Sequence, residues 1–152
     1  MVVQSSSENS LRLCRTINAP REKVFAAWTQ EQHLMNWWRV DDSMQTVSAE
    51  IDLRVGGKYR LGMHSTEHDK THFCSGEFLV VEPPEKLVYT WNWEPPGMDV
   101  AGSQVTVEFK QQGDQTELVL THENFPNAEA TSEHSHGWTG CLEQLAALAE
   151  TI

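Results

Sequence analysis

The sequence predicts an α+β fold, a curved antiparallel sheet of about seven strands wrapped on one long C-terminal helix, with two short helices after the first strand. Three observations predict it. Between Val47 and His122 six segments alternate apolar and polar residues with period two, each bounded by glycine, proline or polar turns. From Trp138 onward, Leu142, Leu145, Ala149 and Ile152 instead keep one stripe at the 3.6-residue period of a helix. Strands joined by short turns form a meander, and a single helix can cover only one of its faces.

The elements follow in order. Residues 1–9 read as a flexible polar lead-in, and residues 10–152 as one domain. Leu11, Leu13 and Ile17 alternate with Arg12, Cys14 and Thr16 in the first strand. Asn18-Ala19-Pro20 stops it, Asn18 serving as a helix cap and Pro20 fitting the first turn. Val24, Phe25, Ala27 and Trp28 give the first short helix its apolar stripe. Glu31 to Trp38 forms the second, entered through Thr29 and Gln30. Adjacent Trp37 and Trp38 cannot share a helix face, so one belongs to the core and the other to a lid or mouth.

Val47 to Leu53 is the next strand, with Val47, Ala49, Ile51 and Leu53 on one face, and Gly56-Gly57 turns it into Lys58 to His64. Ser65 to Thr71 is a polar loop. Phe73 to Val81 ends at Pro83-Pro84, and Leu87 to Trp93 ends at Pro95-Pro96-Gly97. Gln104 to Lys110 and Thr116 to His122 pair across Gly113-Asp114, a hairpin signal. Phe125-Pro126-Asn127 leads to the last helix, which opens on His136-Gly137-Trp138.

Twenty-two acidic against eleven basic residues give a net charge of −11, which repels nucleic-acid backbones and anionic lipid. No apolar run approaches the roughly 20 residues that span a bilayer. The amino-terminal residues have no secretory pattern, and the three widely spaced cysteines, Cys14, Cys74 and Cys141, read as reduced thiols of a cytoplasmic protein.

Alternation assigns the inward face. Leu87, Tyr89, Trp91 and Trp93 share one side of their strand, as do Val105, Val107 and Phe109, then Leu118, Leu120 and His122, and Tyr59, Leu61 and Met63. Aromatic residues with polar tips suit the wall of a pocket. The candidate lining is Trp38, Tyr59, Met63, Tyr89, Trp91 and Trp93 on one side. Val107, Leu120 and His122 continue it on the sheet, and Trp138, Cys141, Leu142 and Leu145 on the helix. A solid core built with tryptophan is the competing reading. Gly137 and Gly140 in the helix imply either close approach or open space.

Metal and cofactor signals are weak. His64, His68 and His72 are spaced by four but straddle a loop, and His134 and His136 lack a completing ligand set with His122. Val55-Gly56-Gly57-Lys58 is a turn rather than a phosphate loop, and no nucleophile elbow occurs. No catalytic residue, metal or cofactor is therefore assigned. His122 with Tyr89 is the one acid–base pair left open.

The chain resembles the domain family named for the activator of Hsp90 ATPase, within the START/Bet v 1-like (SRPBCC) superfamily. The resemblance rests on Arg15 to Pro20, Val24 to Trp28, Trp37-Trp38, Asp52 to Arg60, Gly76 and Val81 to Trp91. It continues through Thr106 to Phe109, Thr121 to Phe125, and His136 to Trp138 with Leu142 and Leu145. It implies a helix-grip fold with a cavity between sheet and long helix. Superfamily relatives bind lipids, sterols or polyketides, and some are cyclases or hydrolases. The expectation is a non-catalytic binding module for a small hydrophobic or aromatic ligand. The alternatives are a cyclase- or hydrolase-like enzyme using the same cavity, or a regulator of an Hsp90-type chaperone ATPase. A second copy of the chain and that chaperone are the protein partners left open.

Overall fold

The computed structural model describes residues 2–95 and 100–152. Eight strands form one antiparallel sheet in the order β1-β2-β8-β7-β6-β5-β4-β3. They are β1 (Val2–Ser6), β2 (Ser10–Ile17), β3 (Met44–Ile51), β4 (Lys58–Ser65), β5 (Lys70–Glu82), β6 (Lys86–Trp93), β7 (Ser103–Gln112) and β8 (Gln115–Glu123). Helices α1 (Arg21–Thr29) and α2 (Glu31–Trp37) separate β2 from β3, and α3 (Ala128–Ala149) comes last. The predicted order stands, with one addition. The segment read as a lead-in pairs with β2, Val2 opposite Arg15 and Ser6 opposite Leu11, and so forms an edge strand. Its polar residues escaped detection because four of its five positions are exposed and carry no inward pattern.

Other boundaries shift for identifiable reasons. Helix α1 starts after Pro20, whose carbonyl accepts from the N–H groups of Lys23 and Val24, so Pro20 rather than Asn18 is the cap. Strand β3 carries a bulge between Thr46 and Ser48, which inserts Val47 outside the pairing with β4. The extra residue breaks the alternation, so Val47, expected on one face with Ala49 and Ile51, is 46% exposed while those two are half-buried. Leu53 lies past the end of the strand and is also exposed. A second irregularity, between Phe78 and Val80 in β5, leaves Leu79 outward. Bulges bend a sheet, and these two lie in the half that packs against α2 through β3.

Strands β7 and β8 meet through the predicted two-residue turn, Gln112 opposite Gln115, with Gly113 at φ +62°. Of the predicted Pro95-Pro96-Gly97 stop after β6, Pro96 and Gly97 lie outside the described residues. Helix α3 begins two turns earlier than predicted. Asn127 caps it by accepting from the Ala130 N–H at 2.8 Å, so His136 and Gly137 are interior positions. The first two turns bury Thr131, His134 and Ser135, polar residues that hide the helical stripe from a hydrophobic periodicity.

The core lies between α3 and the inner sheet face. Leu13, Val105, Val107, Leu118, Leu120, Leu142 and Leu145 are all fully buried. Trp28 packs between Trp37, Phe109 and Trp138 at centroid distances of 4.9, 6.1 and 5.8 Å, tying α1 to both layers. No helix among the described residues is long and apolar enough to cross a membrane.

Candidate functional site

The polar turns of α3 meet the last inward residues of β6 and β8, and there the aromatic rows become a hydrogen-bond network. Trp138 Nε1–H donates to His122 Nδ1 at 3.0 Å, so His122 carries its proton on Nε2. That N–H donates to Ser103 Oγ at 2.9 Å, and the Ser103 hydroxyl donates to the Trp91 carbonyl at 2.8 Å. Trp93 Nε1–H donates to His134 Nε2 at 2.9 Å, while His134 Nδ1–H donates to the Ala130 carbonyl one turn earlier, also at 2.8 Å. Both imidazoles are therefore neutral, with every ring nitrogen engaged. Burial pushes the basicity of each below that of an ordinary histidine, and for His122 the neighbouring His134 adds to the effect.

Trp91 is the exception. Its ring lies 5.4 Å from His122, 6.3 Å from His134, 5.1 Å from Trp138 and 5.5 Å from Trp93. Its Nε1–H is buried without a partner, one of two such side-chain atoms among the described residues, the other being Arg39 Nε. An unsatisfied buried donor costs about 1–3 kcal/mol.

In front of this network lies a pocket of about 430 Å³, within the usual range for small-molecule sites. Trp38, Met63, Trp91 and Trp93 wall it from the loop after α2 and the sheet, and Trp138, Cys141 and Gly137 from α3. Its rim carries Asp41, Glu67 and Glu133 together with His68, His72 and His136. Hydrogen bonds from the Ser43 hydroxyl and backbone N–H hold the Asp41 carboxyl below the usual carboxylate range. Burial pushes the Cys141 thiol up to about 12, so it is present as a neutral, unreactive wall group.

The sequence-predicted lining divides in two. Trp38, Met63, Trp91, Trp93, Trp138 and Cys141 meet at the pocket. Tyr59 and Tyr89 line a separate void of about 20 Å³ beneath α1 and α2, enough for roughly one water. Val107, Leu120, Leu142 and Leu145 are solid core, and His122 stands behind the pocket wall. Tyr89 accepts a hydrogen bond from Trp28 at 3.3 Å, and burial pushes its hydroxyl far above its ordinary range. Tyr89 and His122 both pair with Val105 from opposite sides, so they sit two strands apart, about 10 Å. They do not touch.

Of the two adjacent tryptophans, Trp37 is core, its Nε1–H donating to the Ala27 carbonyl at 2.7 Å. Trp38 is the mouth residue, equally buried but lining the pocket. The two helix glycines answer different needs. A Cβ on Gly140 would fall 2.2 Å from the Val40 carbonyl oxygen, so the loop after α2 crosses the helix there at backbone contact. A Cβ on Gly137 would meet only Val40 Cγ2, at 3.7 Å, and Gly137 opens onto the pocket.

Sequence reasoning missed the rim. His72 reaches it because β5 starts at Lys70, three residues earlier than predicted, and sets His72 opposite Met63, while residues 66–69 keep the predicted loop. His134 was hidden by the late helix start, although Asn127 after Pro126 was a readable cap. Among the described residues no three histidine, cysteine or carboxylate side chains come together as a metal site. A second groove, about 820 Å³, crosses the outer row Arg60–Ser75–Asn92 and is open, charged surface.

Known proteins place this architecture. A crystal structure from Chromobacterium violaceum superposes with a TM-score of 0.85 at 28% identity, over 95% of this chain and 99% of that one. An AHSA1 protein from Silicibacter pomeroyi matches with a TM-score of 0.78 at 27% identity, over 91% and 95% of the two chains. The AHSA1-like protein from Aeromonas hydrophila shares the fold, with a TM-score of 0.77 at 21% identity over 91% and 92%. No curated protein matches the sequence. The family model for activator of Hsp90 ATPase homolog 1-like protein covers residues 18–150, so strands β3 to β8, both short helices and α3 fall inside it. With that match, the chain belongs to the activator of Hsp90 ATPase homolog 1-like family, as a helix-grip domain of the START/Bet v 1-like superfamily.

Proposed function

We propose that this protein is a binding module for a small, largely apolar or aromatic molecule held between α3 and the β4–β6 end of the sheet. The observation that carries this reading is the pocket walled by Trp38, Trp91, Trp93 and Trp138. Four indoles at one opening offer flat apolar surface with little rotamer entropy to lose on binding. A non-catalytic role is favoured over a cyclase- or hydrolase-like one because His122, the base such a mechanism would use, has both nitrogens engaged inside the wall. Burial, with the neighbouring His134, also lowers its basicity, which weakens it further as a base.

Calorimetric titration with ethylnaphthalene tests the reading, using wild type and Gly137→Leu. A Cβ at 137 meets only the Val40 side chain, at 3.7 Å, and position 137 lines the pocket, so leucine there is expected to occupy pocket space. Saturable one-to-one binding by wild type, lost in the variant with unchanged circular dichroism, is the expected result. Equal binding by both proteins, or none by either, contradicts the proposed site.

A further inference from the structure

We infer that the ligand of this pocket is electrically neutral and places a carbonyl oxygen, as in a ketone, ester or quinone, against the indole N–H of Trp91. The inference rests on the pocket reading above and specifies its chemistry. Three indole donors, Trp91, Trp93 and Trp138, crowd around two imidazole acceptors. His122 Nδ1 is taken by Trp138 and His134 Nε2 by Trp93. The remaining imidazole protons are themselves donors, already committed to Ser103 Oγ and the Ala130 carbonyl. The cluster is thus one acceptor short, and the N–H left over belongs to a pocket-wall residue that is 3% exposed.

The shortage selects among ligand groups. A hydroxyl could accept from Trp91 but would bring a donor of its own into a cluster with no free imidazole acceptor. A carbonyl supplies acceptor capacity and nothing else. A carboxylate would also accept, but it would enter past Asp41, Glu67 and Glu133 on a chain of net charge −11. That field disfavours anions. A neutral carbonyl on an apolar body satisfies both conditions.

The test compares acetylnaphthalene, its deoxygenated analogue ethylnaphthalene, and naphthoate, by calorimetry and by the assigned indole ¹H–¹⁵N resonances. Acetylnaphthalene should move the Trp91 indole proton downfield and ethylnaphthalene should not, a readout in wild type that needs no variant. Trp91→Phe should weaken acetylnaphthalene about tenfold more than ethylnaphthalene, the size of one hydrogen bond to a buried donor. Naphthoate should bind more weakly than acetylnaphthalene. If ketone and hydrocarbon bind with the Trp91 proton unmoved by either, or if the variant weakens both equally, the carbonyl inference falls while the pocket stands. Tightest binding by naphthoate overturns the neutrality. If none of the three binds, the pocket reading falls with it.

Discussion

The two ends of the layer between α3 and the sheet are built from similar residues and do opposite things. Toward the C-terminal half of α3, Leu142 and Leu145 meet Leu120, Val107 and Phe109, and the only nearby void among those described is about 20 Å³. Toward its N-terminal half, an equally aromatic set leaves about 430 Å³. Three differences separate them. Helices α1 and α2 plug the first end with Trp28, Leu34 and Trp37, whereas the second is reached by the loop from Trp38 to Ser43 and the β4–β5 turn. Helix α3 presents leucine at one end and Thr131, His134 and Gly137 at the other. Finally, polar tips at the solid end find partners within it, as Trp28 does in Tyr89, whereas at the open end one indole is left over. Aromatic content therefore does not make a cavity. What faces the aromatic rows does.

Several substitutions would break or sharpen this contrast. Phe109→Ala, at the solid end, removes the edge contacts with Phe25 and Trp28 and should cost about 3–5 kcal/mol in chemical denaturation. Trp93→Ala at the open end, partly exposed already, should cost less than half as much; equal losses would mean the two ends are packed alike. Gly140→Ala should destabilise by about 1–3 kcal/mol despite the better helix propensity of alanine, because Val40 must move.

Acid should act through the open end. His122 and His134 are held neutral with depressed basicity, so the unfolded chain binds more protons than the folded one below the ordinary histidine value of about 6.5. Their stabilisation is present above that pH and is lost as pH falls toward their folded values. The slope can reach two protons, about 2.7 kcal/mol per pH unit. His134→Gln should reduce the slope by up to one proton in urea melts taken between pH values on either side of the histidine range. An unchanged slope would contradict the assignment. The smallest effect is expected at Gly137→Ala, a gain of up to about 1 kcal/mol from helix propensity alone, with weaker ligand binding. A loss of stability there would show that the open end is closer packed than described.

Much of this was legible in the sequence, and the failures share a cause. Period-two rows such as Tyr89–Trp91–Trp93 and the Gly113-Asp114 turn located strands β4 to β8, because buried apolar residues write their period directly. Strand β1 and the first turns of α3 were missed for want of an apolar period: β1 is an exposed edge whose valines do not alternate, and α3 there buries Thr131, His134 and Ser135. The bulge at Val47 is a matter of pairing between strands, which no single-strand pattern contains. For the site, alternation found which residues face inward but not how far apart the layers stand. The loop that borders the pocket is held by Gly140 against Val40, and the polar network residues lie outside any hydrophobic stripe. So His122 was singled out for its inward place and His134 only as a possible metal ligand, while Ser103, which His122 bonds, carried no signal.

The six tryptophans offer the most direct test, since their indole N–H resonances report on both ends at once. In a titration of wild-type protein with acetylnaphthalene, the resonances of Trp38, Trp91, Trp93 and Trp138 should move, Trp91 most of all, while those of Trp28 and Trp37 stay within a small fraction of those shifts. Comparable movement of Trp28 and Trp37, or none at the other four, would contradict a solid end and a binding end in one sheet–helix layer.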